Sequence, residues 1–304
     1  MVSGTMNKPD LLTELAVRPL VCDGAMGTQL LAHGIKSGEC ATLWNVDRPA
    51  DVRAVHDAYC AAGCDLLTTN TFGGSSIALD RHGLAERAAE LNEAAAKIAR
   101  EAAGRRAWVL GDVGPFGDFL EPFGETTADA LRESFRIQIQ GLVTGGADAV
   151  LVETMSDPAE AVAGVEAARE VDANVPVVVT YAFQKAAPGV FKTMMGTSVE
   201  EAVSRAVGAG AGIVGANCGT SLDLEDYVEL GKQLVASAGG TPVVVQPNAG
   251  APRMVGEETV YDATPAQMAA AARDLLQAGV RIVGGCCGTT PAHVAAVAAA
   301  VKGR

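Results

Sequence analysis

Eight short runs of β-branched and aliphatic residues recur along the 304-residue chain, each closed by glycine or polar residues and followed by an alanine-rich stretch. They are PLVCDG (19–24), CDLLTTNTF (64–72), AWVLGDVG (107–114), DAVLVET (148–154), VPVVVTYAF (175–183), GIVGANCG (212–219), PVVVQPNAG (242–250) and RIVGGCCG (281–288). Runs that are apolar on both faces read as strands buried in a parallel sheet. The intervening stretches have helical spacing: in AERAAELNEAAAKIAREA (85–102), Leu91, Ala95, Ile98 and Ala102 share one face. Threonines mark helix starts in TTAD (126–129), TSVEEA (197–202), TPAQM (264–268) and TPAHV (290–294), the last two with Pro at the first helical position.

Eight strand–helix units without a break predict an α/β fold, a single (β/α)8 TIM barrel over residues 19–304 preceded by an N-terminal extension of residues 1–18. Barrel active sites gather where strands end. That is where the chemistry-bearing residues collect: Asp23, Thr69 and Asn70, Asp112, Glu153, Asn217 and Cys218, Asn248, and Cys286 with Cys287.

Composition narrows the function. A net charge of -13, with no basic cluster interleaved with aromatics, sets nucleic acid aside as a partner. The N-terminal MVSGTMNKPDLLTEL lacks the apolar core of a signal peptide and no apolar window reaches the length of a membrane span, so a cytoplasmic protein without a membrane partner is expected. Seven scattered cysteines in such a chain argue for free thiols and against a disulfide framework.

Cys218 and the Cys286/Cys287 pair would face one barrel mouth. Three thiolates suit tetrahedral zinc, whose fourth position is a protein ligand in a structural site and water or substrate in a catalytic one. Neighbouring residues of a strand point opposite ways, so the pair ligates together only where the chain turns, a turn the glycines of GGCCG permit. Cys60 and Cys64, at helical spacing, and Cys22, inside the first strand, read as packing. GAGIVG (210–215) matches a dinucleotide fingerprint but precedes a strand, so it reads as a helix-to-strand turn. The histidines at 33, 56, 82 and 293 form no metal-binding spacing and read as surface or capping residues.

DGAMGTQL (23–30), TNTFG (69–73), LVET (151–154), NCG (217–219), PNAG (247–250) and GGCCGTTPAH (284–293) together resemble the homocysteine S-methyltransferase family from about residue 20 to 302, most of all its homocysteine-binding module of cobalamin-dependent methionine synthase. The resemblance implies a methyltransferase acting on the thiol of homocysteine to give methionine. It implies zinc held by Cys218, Cys286 and Cys287, with the homocysteine sulfur as fourth ligand. Asp23 and Glu153 would face the substrate ammonium, and backbone amides at Gly24, Ala25, Thr69 and Asn70 its carboxylate. Asn248 resembles a family residue that approaches the metal when substrate is absent.

DRHGL (80–84) breaks the D-x-H-x-x-G cobalamin pattern because residue 85 is Ala, so the expected donor is methylcobalamin on a separate corrinoid protein. A small donor such as S-methylmethionine or betaine, or corrinoid-linked demethylation of another substrate, remains an alternative, although no aromatic cage for a quaternary ammonium is evident. A non-catalytic zinc scaffold is the rival of a different class, and it has no need of carboxylates at strand ends. The loop DVGPFGDFLEPFGETT (112–127) is expected to line the donor side.

Overall fold

The computed structural model describes residues 9–256 and 258–303. The eight apolar runs form β1 (Leu20–Val21), β2 (Leu66–Thr68), β3 (Trp108–Val113), β4 (Ala149–Met155), β5 (Val177–Tyr181), β8 (Ile213–Asn217), β9 (Val243–Gln246) and β12 (Ile282–Val283). They make one parallel sheet in the order β1-β12-β9-β8-β5-β4-β3-β2. A parallel bridge between Cys22 and Leu66 joins its two ends, with Asp65 N–H donating to the Val21 carbonyl at 2.7 Å and Asp23 N–H to the Leu66 carbonyl at 3.0 Å. The sheet is therefore a TIM barrel.

Helices follow every barrel strand. The crossovers are α2 (Gly27–Ala32), α3 (Trp44–Asp47) and α4 (Pro49–Ala62); α5 (Ser76–Asp80) and α6 (Ala88–Ala103); α7 (Ala128–Thr144); α8 (Pro158–Val171); α9 (Val199–Ala209); α10 (Leu224–Ser237); α11 (Pro265–Gln277); and α12 (Pro291–Lys302). Two antiparallel hairpins interrupt the rhythm, β6 (Phe183–Ala187) with β7 (Val190–Thr193) and β10 (Arg253–Val255) with β11 (Glu258–Val260). Both sit on connections that leave the C-terminal ends of barrel strands.

The predicted helix starts hold, with one shift. Thr127 and Thr264 cap α7 and α11, and Thr290 forms a capping box with His293 at the start of α12. In TSVEEA it is Ser198, one residue after Thr197, whose hydroxyl accepts the Glu201 N–H. GAGIVG is the turn from α9 to β8, with Gly210 capping the helix at φ 107°. His293 caps as expected, but His56 is fully buried on α4 with no partner for either ring nitrogen among the described residues, and burial lowers it to about 4. It is a neutral packing residue rather than a surface one.

Alternation along the strands sorts their residues. Val21, Leu67, Val109, Val150, Val179 and Val214 pack outward among the helices, while Leu20, Leu66, Leu110, Leu151, Val178 and Ile213 form the inner cluster. That cluster also contains Leu11 and Leu15 of α1 (Leu11–Val17), a short helix capped by Asp10 that closes the barrel floor. Moving up the barrel, the next inward positions are Thr68, Asp112, Glu153, Thr180, Asn217 and Gln246. The interior thus changes from hydrocarbon to hydrogen-bonding groups along its axis, and the polar layer is the floor of the mouth.

Candidate functional site

Three thiols converge at this mouth. Cys218 follows β8, and Cys286 and Cys287 follow β12; their sulfurs all lie within 4.8 Å of one another, with Cys218 Sγ 3.9 Å from Cys287 Sγ. Ligands about 2.3 Å from a tetrahedral zinc stand about 3.8 Å apart. The spacing and the all-sulfur donor set therefore fit zinc, with one vertex left open.

The local backbone explains how the thiols meet. Cys218 adopts φ 53°, a left-handed conformation that costs a non-glycine residue about 1–3 kcal/mol and marks an over-determined site. Its N–H donates to the Gln246 carbonyl at 3.3 Å, and its own carbonyl accepts from Tyr227 Oη. The Cys286 N–H donates to the Pro247 carbonyl at 2.7 Å, the Cys287 carbonyl accepts from Ala249 N–H at 2.9 Å, and Thr289 Oγ1 donates to the Cys286 carbonyl at 2.6 Å. All three cysteines are thus tied to the last residue of β9 or to the turn after it.

The glycines beside the pair divide their work differently from the expected common turn. A Cβ on Gly284 would lie 2.6 Å from Cys22 Cβ, and one on Gly285 2.6 Å from Thr289 Oγ1, so these two permit close packing. The left-handed turn falls at Gly288, φ 78°, where a Cβ would enter the Tyr261 ring.

The thiols share protons unevenly. Hydrogen bonds from Cys218 and Cys286 hold Cys287 down at about 3, and Cys218 is pushed up to about 12. Cys286 is pushed well above the ordinary thiol range by its hydrogen bonds to the other two and by burial.

Asp23 and Glu153 stand at the same mouth: Gly285 N–H donates to the Asp23 carbonyl at 2.9 Å, and Asn217 Nδ2 lies between Glu153 Oε2 and Cys286 Sγ, 3.9 Å from the sulfur. Asp23 Oδ2 accepts from Thr68 N–H at 2.7 Å and Oδ1 from Thr68 Oγ1 at 2.9 Å, while burial raises the carboxyl to about 7. Glu153 is likewise raised to about 7 by burial, against the downward pull of a hydrogen bond from Asp112. Asn217 Nδ2 donates to Glu153 Oε2 at 2.8 Å. Its Oδ1 accepts from Thr154 N–H at 2.9 Å and Thr180 Oγ1 at 2.8 Å, which fixes the amide orientation.

Of the four amides singled out from sequence, two are already engaged. Ala25 N–H donates to Thr289 Oγ1 at 3.0 Å and Thr69 N–H to the Leu110 carbonyl at 3.0 Å. The Gly24 and Asn70 amides have no acceptor among the described residues. The Asn70 side chain is occupied, donating to the Ala41 carbonyl at 2.8 Å and Asn45 Oδ1 at 3.1 Å. Asn248 donates from Nδ2 to the Gly219 carbonyl at 3.1 Å, leaving its buried Oδ1 without a partner among the described residues.

Sequence reasoning placed Asp112 and Asn217 at strand ends without giving them work, and it assigned nothing to Thr154, Thr180 or Tyr261. Thr154 sits at a register shift in β4 with φ 61°. Its involvement depends on that bulge, which no residue pattern announces. A separate cavity of about 440 Å³ opens between α10, α11 and the β10–β11 hairpin, lined by Asp223, Glu225, Arg253, Asp262 and Asp274 among others. It contains none of the thiols. No helix among the described residues is long and apolar enough to cross a membrane.

Comparison with known proteins follows the same lines. The family profile described as Homocysteine S-methyltransferase matches residues 20–301. The methionine synthases of Mycobacterium tuberculosis and Mycobacterium leprae are each 33% identical over 311 residues, covering 96% of this chain and 25% of theirs. The chain thus spans about a quarter of the length of these curated relatives. Among solved structures, the metallated form of the homocysteine methyltransferase MmuM from Escherichia coli superposes with a TM-score of 0.74 at 26% identity, covering 92% of this chain and 96% of that one.

Proposed function

The chain belongs to the homocysteine S-methyltransferase family, and from that premise we propose that it transfers a methyl group from methylcobalamin on a separate corrinoid protein to the thiol of homocysteine, forming methionine. The observation that carries this reading is the meeting of three thiols within 4.8 Å on the barrel mouth that also holds the buried carboxyl of Asp23 and the half-buried one of Glu153. A non-catalytic zinc scaffold gives Asp23 and Glu153 nothing to do.

Cys218, Cys286 and Cys287 would hold zinc, which when bound would supply positive charge that keeps a substrate thiol deprotonated near neutral pH. The chain's own residues do the rest. Asp23 and Glu153 hold the ammonium, and the free amides of Gly24 and Asn70 take the carboxylate. With both ends of the amino acid fixed, its sulfur is aimed up the barrel axis. It attacks the methyl carbon in line: the carbon–sulfur bond forms as the bond from methyl to donor breaks, and the donor keeps the bonding pair. Asn248, whose buried Oδ1 has no partner among the described residues, would take the place of the substrate when none is bound.

The rim supports a donor carried on a protein. Phe72, Phe119, Phe123, Met194, Met195 and Met254 are exposed on the connections that follow barrel strands, Met254 within β10. Large apolar side chains gathered at one end of a molecule mark a surface that another macromolecule covers. A second reading, a small donor entering directly, is favoured by the E. coli homocysteine methyltransferase, whose length this chain covers to 96%.

Zinc-loaded protein incubated with homocysteine and, separately, methylcobalamin, S-methylmethionine, betaine or methyltetrahydrofolate tests both. Methionine from methylcobalamin is the expected result. Turnover with S-methylmethionine or betaine alone moves the assignment to the second reading, and silence both with all four and with methylcobalamin bound to a corrinoid protein removes the assignment of donor and acceptor together.

A further inference from the structure

Cys218 stands in a turn whose backbone is unusual at three places: Cys218 at φ 53°, Gly219 at φ 100° and Ser221 at φ 62° are all left-handed. Glycine adopts that region freely, and a Cβ at Gly219 would lie 2.4 Å from the Phe183 carbonyl oxygen. Cys218 and Ser221 are strained, and such strain persists only where the surroundings over-determine it. A turn free to relax would carry the Cys218 sulfur away from the other two.

Tyr227 of α10 supplies the restraint. Its side chain is fully buried, and its hydroxyl joins two main chains: Oη donates to the Cys218 carbonyl and accepts the Asn248 N–H at 3.5 Å. Asn248 Nδ2 donates in turn to the Gly219 carbonyl at 3.1 Å, so two successive carbonyls of the strained turn are held. The segment around Asn248 also holds the other two thiols, because the Pro247 carbonyl accepts from Cys286 N–H and Ala249 N–H donates to the Cys287 carbonyl. One hydroxyl therefore ties the turn of Cys218 to the turn that holds the cysteine pair. The helix beneath it is fixed in place. Asp223 and Asp226 form a capping box at the start of α10, and Lys185 Nζ from β6 meets Asp226 Oδ1 at 2.6 Å.

On the reading that Cys218, Cys286 and Cys287 form a zinc centre, we infer that Tyr227 is its positioning residue, whose hydroxyl locks the Cys218 turn so that the three sulfurs stand at ligand spacing. The hydroxyl is buried and engaged by backbone groups on both sides, so it orients rather than reacts. Ligands already gathered bind a metal more tightly than ligands that must be brought together. Groups that orient metal ligands typically contribute about 10–100-fold in affinity. Tyr227 thus acts on how tightly and in what geometry the metal is held, whereas the thiols set how many ions are bound.

Y227F keeps the ring and removes the hydroxyl. The full chain, with its thiols reduced, is titrated with Zn(II) against a chromophoric chelator and, separately, with Co(II). Y227F is expected to hold zinc at the wild-type stoichiometry but about tenfold more weakly, with its thiolate-to-cobalt charge-transfer and d–d bands displaced from those of the wild type. Y181F removes another fully buried hydroxyl, one on β5 with no partner among the described residues, and is expected to match wild type in both readouts. In the Y227F background S221G is expected to recover part of the loss, because glycine takes φ 62° without strain. Wild-type affinity with an unchanged cobalt spectrum in Y227F, or an equal change in Y181F, overturns the inference, while zinc binding by the wild type leaves the three-thiol centre standing. A wild type that binds no zinc removes the centre and the inference together. Where Y227F folds poorly, Y227F/S221G is compared with S221G, and equal zinc affinity in that pair overturns the inference as well.

Discussion

Glu160 shows how a single buried carboxyl positions a loop near the mouth. It sits in the first turn of α8, 5% exposed, and accepts the Phe116 N–H at 2.8 Å, pinning the loop that follows β3. Burial nevertheless pushes it up to about 7, more than that hydrogen bond draws it down. A carboxyl raised in the folded state binds its proton more tightly folded than unfolded. The resulting stability is complete below about 4.5 and is lost as pH rises through about 7, at a cost of up to about 3 kcal/mol. Glu160→Gln keeps an acceptor for Phe116 and removes the ionisation. It should raise the unfolding free energy by about 1–3 kcal/mol at pH 8 and by almost nothing at pH 4.5; an equal gain at both pH values in urea titrations would contradict this origin. Residues of this kind separate what was legible in the sequence from what was not. The three cysteines could be picked out because sulfur at matched strand ends has few other uses. Thr154 could not, because its contact with Asn217 depends on the register shift in β4 and joins residues far apart in the chain.

At the scale of elements, the strand runs and most helix caps were readable, since β-branched runs and Thr-Pro starts act locally. The elements that escaped are those too short to show a period. The β6–β7 and β10–β11 hairpins have four- or five-residue and three-residue strands respectively, and α1 has seven residues, barely two turns. Residues 1–18 read as an extension ahead of the barrel, yet Leu11 and Leu15 are buried in the same inner cluster as Leu20 and Leu66. Trp108 Nε1 adds a hydrogen bond to the Pro9 carbonyl at 3.1 Å, tying this segment to β3. Leu15→Ala leaves a cavity in the barrel floor and should cost about 2–5 kcal/mol by chemical denaturation. Because the thiols gather at the opposite end, thiol-to-metal stoichiometry should match wild type. A cost below about 1 kcal/mol would mean that α1 lies on the barrel without closing it.

The whole molecule is a ring, and the site draws on strands that are distant in sequence but close in that ring. β8, which brings Cys218, and β12, which brings Cys286 and Cys287, flank β9, whose last residue and following turn hold the backbone of all three. A cation bound by these thiols would link two strand ends across a third, and binding of this kind stabilises the folded state by mass action. Free zinc at about 100 times its dissociation constant adds about 2.7 kcal/mol, which raises the melting temperature of a chain this long by about 5 °C. Cys218→Ala and Cys287→Ala should each abolish that increment and lower bound zinc from about one per chain to near zero by elemental analysis. Trp44, between the helices, and Trp108, in the inner cluster, report from separate parts of the molecule. If zinc acts on the closed barrel as one cooperative unit, intrinsic fluorescence and far-UV dichroism should shift together on chelation. A melting temperature indifferent to zinc in the wild type, or full zinc in both variants, would rule out the three-thiol centre.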